Sequence, residues 1–327
     1  MNIHVGIDIS KSTFDAVTLS DGRSHHRKFD NDDNGFSCFR SWLDSFGSSQ
    51  PQLIMEATGR YYERFADFCI KQQWPTYVVH PALLKNYTRS RSTSAHKTDA
   101  QDARRLADYL KRHEDVVAKW AWSPPSRERR RLKELNRRLK TLENLLIEEK
   151  NRQGHQVDLE SPVRDSSQRM IDFIEKEIRM VNDEMDSLIN QDEELSNEVE
   201  RLQEIPCVGR KLALTFLSET GTWQKFKTAK GVTAWAGLVP LKHQSGTSVQ
   251  RQARVSRAGN RRVRQIAYMA AVAAMRKNSA WKPWVDKRSQ SKTGKKLLIA
   301  IMDKILRVMW GVLKTGTPFN LKTALNA

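Results

Sequence analysis

A heptad seam in the middle of the chain decides how the rest can be arranged. Leu132, Leu135, Leu139, Leu142 and Leu146 recur at steps of 3, 4, 3 and 4, the spacing that lines apolar side chains along one side of a helix. The seam returns as Ile171, Ile174, Ile178, Val181, Met185 and Leu188, then as Leu195, Val199 and Leu202, interrupted by Asp192. Ser123-Pro124-Pro125 and Ser161-Pro162 supply the breaks, because proline cannot continue a helix. Two long antiparallel helices and a coiled coil pairing two copies fit equally well, so the segment is either a spacer or a dimerisation arm. The 327 residues therefore read as a domain over 1–122, a coiled-coil linker or arm over 123–203, and a domain over 204–327.

Ahead of the arm, Ile3, Val5, Ile7 and Ile9 alternate with His4, Gly6, Asp8 and Ser10, which is strand periodicity with Asp8 on the polar face. Phe14–Leu19 and His25–Phe29 read as two further strands around an Asp21-Gly22 turn. An amphipathic segment follows (Phe36, Phe39, Trp42, Leu43, Phe46), then a strand Leu53–Met55 ending at Glu56, a helix 60–71, a strand 76–79 and a helix 98–112. Strand, helix, strand without hairpin signals implies parallel crossovers. The first domain is expected to be α/β, with a partly antiparallel and partly parallel sheet.

Charge separates the two ends. Residues 205–327 hold 24 Lys plus Arg against 3 Asp plus Glu, whereas residues 1–204 are nearly balanced. Such an asymmetry points to a polyanion, nucleic acid first. No run reaches the roughly 18 apolar residues of a membrane span, and the opening strand leaves no signal peptide, so a cytoplasmic protein is expected. Cys38, Cys69 and Cys207 lack paired Cys/His spacing, which argues against disulfides and zinc and for reduced, buried thiols.

Asp8, Glu56, Asp99 and Asp102 are four carboxylates from three separate elements, with Asp99 and Asp102 one helical turn apart. In a ribonuclease-H type fold the strands carrying Asp8 and Glu56 would be neighbours, and the four could bind magnesium to activate a nucleophile at a phosphodiester. Alone, each would read as a helix-end or strand-end charge.

In the basic third, Ile205–Lys211 resembles a helix-hairpin-helix turn, where backbone N–H groups meet a phosphate and Arg210 and Lys211 add charge. Cys207 stands there where glycine is usual. A polar loop over His243–Ser248 precedes a basic helix from about 258 to 277, and an amphipathic helix spans roughly 295–313. Arg251, Arg254, Arg257, Arg261, Arg262 and Arg264 are expected to bind phosphate, with Arg257, Arg261 and Arg264 opposite a core-facing Ile266, Met269 and Val272. The tryptophans of this third read mainly as core.

Taken in order, Gly6-Ile7-Asp8-Ile9-Ser10-Lys11, Met55-Glu56-Ala57-Thr58-Gly59, Lys97-Thr98-Asp99-Ala100-Gln101-Asp102-Ala103, Pro206-Cys207-Val208-Gly209, Ala236-Gly237-Leu238-Val239-Pro240 and Gln244-Ser245-Gly246-Thr247-Ser248 resemble the insertion-sequence "one-ten" transposases. These are bridge-RNA-guided DEDD recombinases related to the Piv invertase, and the resemblance runs over nearly the whole chain. It implies a RuvC-like (RNase H-like) domain, a coiled-coil middle and a mainly α transposase domain. It further implies that Asp8, Glu56, Asp99 and Asp102 are Mg2+ ligands and that Ser245 is the nucleophile. Lys11 and Lys97 join the nucleic-acid contacts. Partners would be donor and target DNA, a structured noncoding guide RNA, and further copies of the chain as a dimer assembling into a tetrameric synapse. With the serine and the tetrad on different domains, the expected site is composite.

The residues themselves leave two rivals. A serine in a small, polar loop is ordinarily a turn serine, so a RuvC-like junction nuclease using water would need no Ser245. A non-enzymatic DNA- or RNA-binding protein would need none of the carboxylates. Ser248 and His243 are the neighbours that could replace or assist Ser245.

Overall fold

The computed structural model describes residues 3–20, 23–47, 50–57, 59–79, 81, 98–154, 162–245, 249–255 and 259–326, with only the backbone of 240–245, 249–255 and 324–326. Contacts divide the chain into two compact units, Met1–Pro124 and Pro125–Ala327.

The first unit runs β1 (His4–Ile9), β2 (Thr13–Ser20), β3 (Arg23–Asp30), α1 (Asp33–Asp44), β4 (Gln52–Glu56), α2 (Tyr61–Lys71), β5 (Thr76–Val79), α3 (Asp99–Arg112) and α4 (Glu114–Val117). Its sheet has the order β3-β2-β1-β4-β5. β1 to β3 pair antiparallel, and β4 and β5 run parallel to β1. The expected turn at Asp21-Gly22 lies outside the described residues.

One face of the sheet is aromatic. Val5, Ile7, Phe14, Leu53 and Met55 meet Phe36 and Phe39 from α1 and Phe65 from α2, and Phe14 lies 4.4 Å, centroid to centroid, from Phe65. Each such ring contributes about 1.5–3 kcal/mol by leaving water. Asp32 starts α1 by accepting from Gly35 N at 2.8 Å, and Gly35 is needed because a Cβ there would stand 1.9 Å from the Asp30 carbonyl.

The opposite face looks polar in β1, yet it is covered. Gly6 lies under α3, and Ile54 and Val79 pack with Leu106, Leu110 and Val117. Thr98 caps α3 by accepting from Gln101 N at 3.3 Å. Of the cysteines only Cys69 is buried, while Cys38 is exposed and Cys207 half-buried, which corrects the expectation of three buried thiols. Cys38 follows the solvent side of amphipathic α1, where periodicity rather than residue type decides burial.

In the second unit α5 (Arg127–Gly154) and α6 (Pro162–Gln191) form one antiparallel hairpin. Arg131 pairs with Glu184, Lys150 with Glu175 at 2.7 Å, and Gln153 with Gln168 at 2.9 Å, so residues advancing on one helix meet residues retreating on the other. Asp192 starts a new helix, α7 (Glu193–Gln203), by accepting from Leu195 N. The chain continues through α8 (Arg210–Thr220), α9 (Ala229–Trp235), β6 (Pro240–Ser245), β7 (Val249–Val255), α10 (Arg261–Ala274), α11 (Lys282–Ser289), α12 (Gly294–Thr315) and α13 (Leu321–Asn326). Leu132, Met185, Leu195, Val199 and Leu202 share one core with Phe216, Val263, Ile301 and Met309. The root of the arm therefore belongs to the same packed body as residues 204–327, whereas the sequence reading separates them at 203.

Two local expectations are corrected. Residues 243–245 belong to strand β6, which pairs antiparallel with β7 and carries a bulge between Leu241 and His243, so Arg251 and Arg254 lie on a strand. Over 240–255 the polar residues show no sustained alternation that would mark a strand in sequence. In α10 the buried side is Val263, Ala267, Ala270, Ala271 and Ala274, while Met269 and Val272 are exposed at 63% and 37%. The alanines let α10 approach its neighbours closely, which turns the larger apolar side chains outward. Among the described residues no helix is long and apolar enough to cross a membrane.

Candidate active site

The carboxylates are placed by the seat of α3 on β1. A Cβ at Gly6 would stand 2.0 Å from the Ala103 carbonyl and 2.4 Å from Ala107 N, so the helix backbone rests directly on the strand. Asp8 is two residues along on the same face, and Asp99 and Asp102 occupy the first turn of the helix. β4 runs parallel beside β1 with Gly6 opposite Ile54 and Ile7 opposite Met55, so Glu56 follows at the level of Asp8.

Electrostatics report the convergence. Burial, followed by the charges of Asp99, Asp102, Glu56 and Asp15, pushes the Asp8 carboxyl up to about 6. Asp102 is also bonded to Arg105 at 2.8 Å. Among the described residues no three Asp, Glu, His or Cys side chains already stand close enough together to hold a metal ion, so a cation would have to draw the carboxylates in. The donors themselves, hard oxygens in excess of local positive charge, suit Mg2+ rather than a softer metal.

Asp15 is the carboxylate that sequence reading missed. It lies directly across from Asp8 in the β1–β2 ladder, is buried at 6% exposure, and bonds His26 Nε2 at 2.7 Å, with Lys28 at 4.0 Å. Its signal was its place between Phe14 and Ala16, which turn to the aromatic core and so send Asp15 to the face of Asp8.

Ser245 ends β6 opposite Val249. Lys97, Ser248 and Arg257 lie outside the described residues, as do the side chains of His243, Ser245, Arg251 and Arg254. Arg210 and Lys211 are already engaged, Arg210 with Asp186 and Lys211 with both oxygens of Glu143 at 2.5 and 2.6 Å. Cys207 takes φ +69, the left-handed backbone that explains why glycine is usual there. Lys11 is exposed beyond β1. At the start of α10, Arg264 donates to the Ala236 carbonyl at 2.8 Å. Arg261 and Arg262, with Lys140 and Lys211, line a cleft of about 850 Å³ between α5, α8 and α10.

Comparison with known proteins covers almost the whole chain. Residues 5–162 match the DEDD transposase model of the IS110 group and residues 199–285 match the Transposase IS116/IS110/IS902 family. The pilin gene-inverting protein of Moraxella bovis is 30% identical over 97% of this chain and 97% of its own length. The same figures apply to the pilin gene-inverting protein of Moraxella lacunata. The IS1111A transposase of Coxiella burnetii is 23% identical over 80% of this chain and 77% of its own. A solved chain of T. thermophilus RuvC in complex with Holliday junction substrate aligns over 34% of this chain at 10% identity, with a TM-score of 0.26, a likeness too slight to bear on the fold.

Proposed function

Because the chain belongs to the IS110 family of transposases, we propose that it cuts and rejoins the DNA of a mobile element, with Asp8, Glu56, Asp99 and Asp102 as Mg2+ ligands and Ser245 as nucleophile. The observation that carries the first half is placement: Asp8 on β1, Glu56 level with it on the parallel neighbour β4, and Asp99 and Asp102 in the first turn of α3, whose backbone is seated on Gly6. Strand order and direction support reading the first unit as RNase H-like, of the RuvC kind.

Bound Mg2+ would polarise the phosphoryl oxygen and lower the cost of forming an alkoxide. The Ser245 hydroxyl then forms an Oγ–phosphorus bond as a phosphorus–oxygen bond of the DNA breaks. Its proton leaves to a base or solvent, and the departing DNA oxygen gains one. A phosphoserine ester keeps the energy of the broken bond, so rejoining needs no ATP. Lys11, Lys97, Arg251, Arg254, Arg257, Arg261, Arg262 and Arg264 would hold phosphates, with Arg210 and Lys211 free to do so only by leaving their acidic partners.

The charge of residues 205–327 without a base-reading motif supports delegation of sequence choice to a guide RNA that pairs with donor and target DNA. Leu145, Ile147, Met170, Phe173 and Met180 stand exposed along the outer part of the arm, which supports pairing of two copies there and assembly of dimers into a tetrameric synapse.

The test is to incubate the full chain with the element's RNA, donor DNA, target DNA and Mg2+ and to map any denaturation-resistant adduct by peptide mass spectrometry. An adduct on Ser245 that disappears in Asp102→Ala is expected. Cleavage without an adduct, retained by Ser245→Ala, would replace this reading with a nuclease that uses water.

A further inference from the structure

The residues shortly before β6 are tied to those at the start of α10. Asn260 N donates to the Trp235 carbonyl at 3.0 Å, and Arg264 Nη1 reaches the Ala236 carbonyl. Gly259 packs so tightly on Gly237 that a Cβ on Gly259 would stand 2.2 Å from Gly237 N. Gly237 itself takes φ +76. Residues 235–237, which lead into β6, and residues 259–260, which lead into α10, are thus held side by side, with no room for a side chain at Gly259.

One carboxylate fastens this junction to the rest of the unit. Glu219, near the end of α8 with a side chain only 5% exposed, accepts from Arg137 Nε and Nη2 of α5, each at 3.2 Å. It also accepts from Asn260 Nδ2 at 3.1 Å, and Arg262 Nε stands 3.7 Å away. Burial alone would raise the pKa of Glu219, but the bonds and charge of Arg137, with the bond from Asn260, hold its carboxyl below the usual range. The Asn260 Oδ1 meanwhile accepts from Val263 N at 3.1 Å and caps α10. The amide presents its acceptor to the helix and its donor to the carboxylate on two separate atoms. Glu219 is one of three acids beyond residue 204; the other two, Asp286 and Asp303, pair with Lys282 and Arg307 within their own helices.

We propose that Glu219, acting through Asn260, is the positioning residue of the β6–β7 hairpin, fixing how β6, which ends in Ser245, is set on the second unit. Its bearing on chemistry rests on the Ser245 reading, whereas its bearing on the hairpin does not.

Two variants separate this from simple stabilisation. Asn260→Ser keeps a helix cap but is too short to reach Glu219, and Asn260→Asp keeps the cap while turning a carboxylate toward Glu219. The double variant Glu219→Gln/Asn260→Asp returns one donor and one acceptor to the pair with their roles exchanged. Hydrogen exchange on the full chain, followed by mass spectrometry, should show peptides spanning 240–255 exchanging at least tenfold faster in both single variants, with peptides of residues 3–79 unchanged. Single-turnover strand transfer on saturating element DNA should fall at least tenfold while affinity for that DNA stays within twofold. The double variant should recover both. Unchanged hairpin exchange, or no recovery in the double variant, overturns the proposal. If exchange responds and recovers while Ser245→Ala still transfers strands, the positioning role stands and the serine reading fails.

Discussion

Gly6 of β1 bears directly on Ala103 of α3, with 2.0 Å separating the Ala103 carbonyl oxygen from the point where a Gly6 Cβ would be. Both sides of that contact are backbone, so no rotamer change relieves a Gly6→Ala substitution. α3 must move, and Asp99 and Asp102 move with it. The expected cost is about 1–3 kcal/mol of stability, as for other overpacked sites, read by thermal unfolding. Strand transfer should fall at least tenfold at temperatures where the variant is still folded; full transfer would show that the seat of α3 does not set the carboxylates.

Asp8 should make the metal-free protein less stable as pH rises. Its folded pKa, about 6 against an ordinary 3.8, means that the folded state holds the proton more tightly. The penalty is absent below about pH 4, grows between 4 and 6, and is complete above 6. Asp8→Asn should therefore stabilise the fold at pH 7 in EDTA by on the order of 1 kcal/mol once solvent screening of this partly exposed group is allowed for, read as a higher Tm, and leave Tm unchanged near pH 3. Added Mg2+ should stabilise the wild type more than the variant. A variant that is less stable at pH 7 would contradict the crowding of charge at Asp8.

Buried beneath the second unit, Arg129 donates to Glu198 at 2.7 Å with both side chains under 10% exposed, and Trp223 Nε1 donates to the same carboxylate at 2.5 Å. Removing the cation alone leaves a carboxyl whose pKa burial already raises. Arg129→Met should cost about 3–5 kcal/mol in urea unfolding, and Arg129→Met/Glu198→Leu should regain much of it. Equal losses in the single and double variants would mean that packing, not charge, dominates there.

The legibility of the fold in sequence follows from where periodicity and function coincide. β1, β5 and α3 were readable to within a residue or so, because alternation or a capping Thr98 marks their ends. Asp8, Glu56, Asp99 and Asp102 stand out in the sequence because each lies in the first or last few residues of its element, where an acid is conspicuous. Asp15 was hidden by lying mid-strand between core residues. β6 and β7 were hidden because their polar sequence lacks a sustained apolar alternation, so only the backbone pairing reveals them. The outward turn of Met269 follows from tertiary packing of alanines, which no single-helix pattern encodes. The role of Glu219 depends on partners 82 residues back and 41 ahead, beyond the reach of any local motif.

The exposed outer arm gives a separate test of assembly. Phe173 and Met180 are 58% and 56% exposed and about two turns apart on α6. Phe173→Glu/Met180→Glu should leave the helical content and Tm of the monomer essentially unchanged while converting a dimer to a monomer in sedimentation velocity. A dimer that survives both charges would place the contact between copies elsewhere.

The antiparallel pairing of α5 and α6 makes the length of the arm a free parameter. Adding one heptad to each helix beyond the shared core, with the pairing of opposite residues preserved, lengthens the outer arm by about 10 Å and leaves its root, the Glu219 bonds and the carboxylate face untouched.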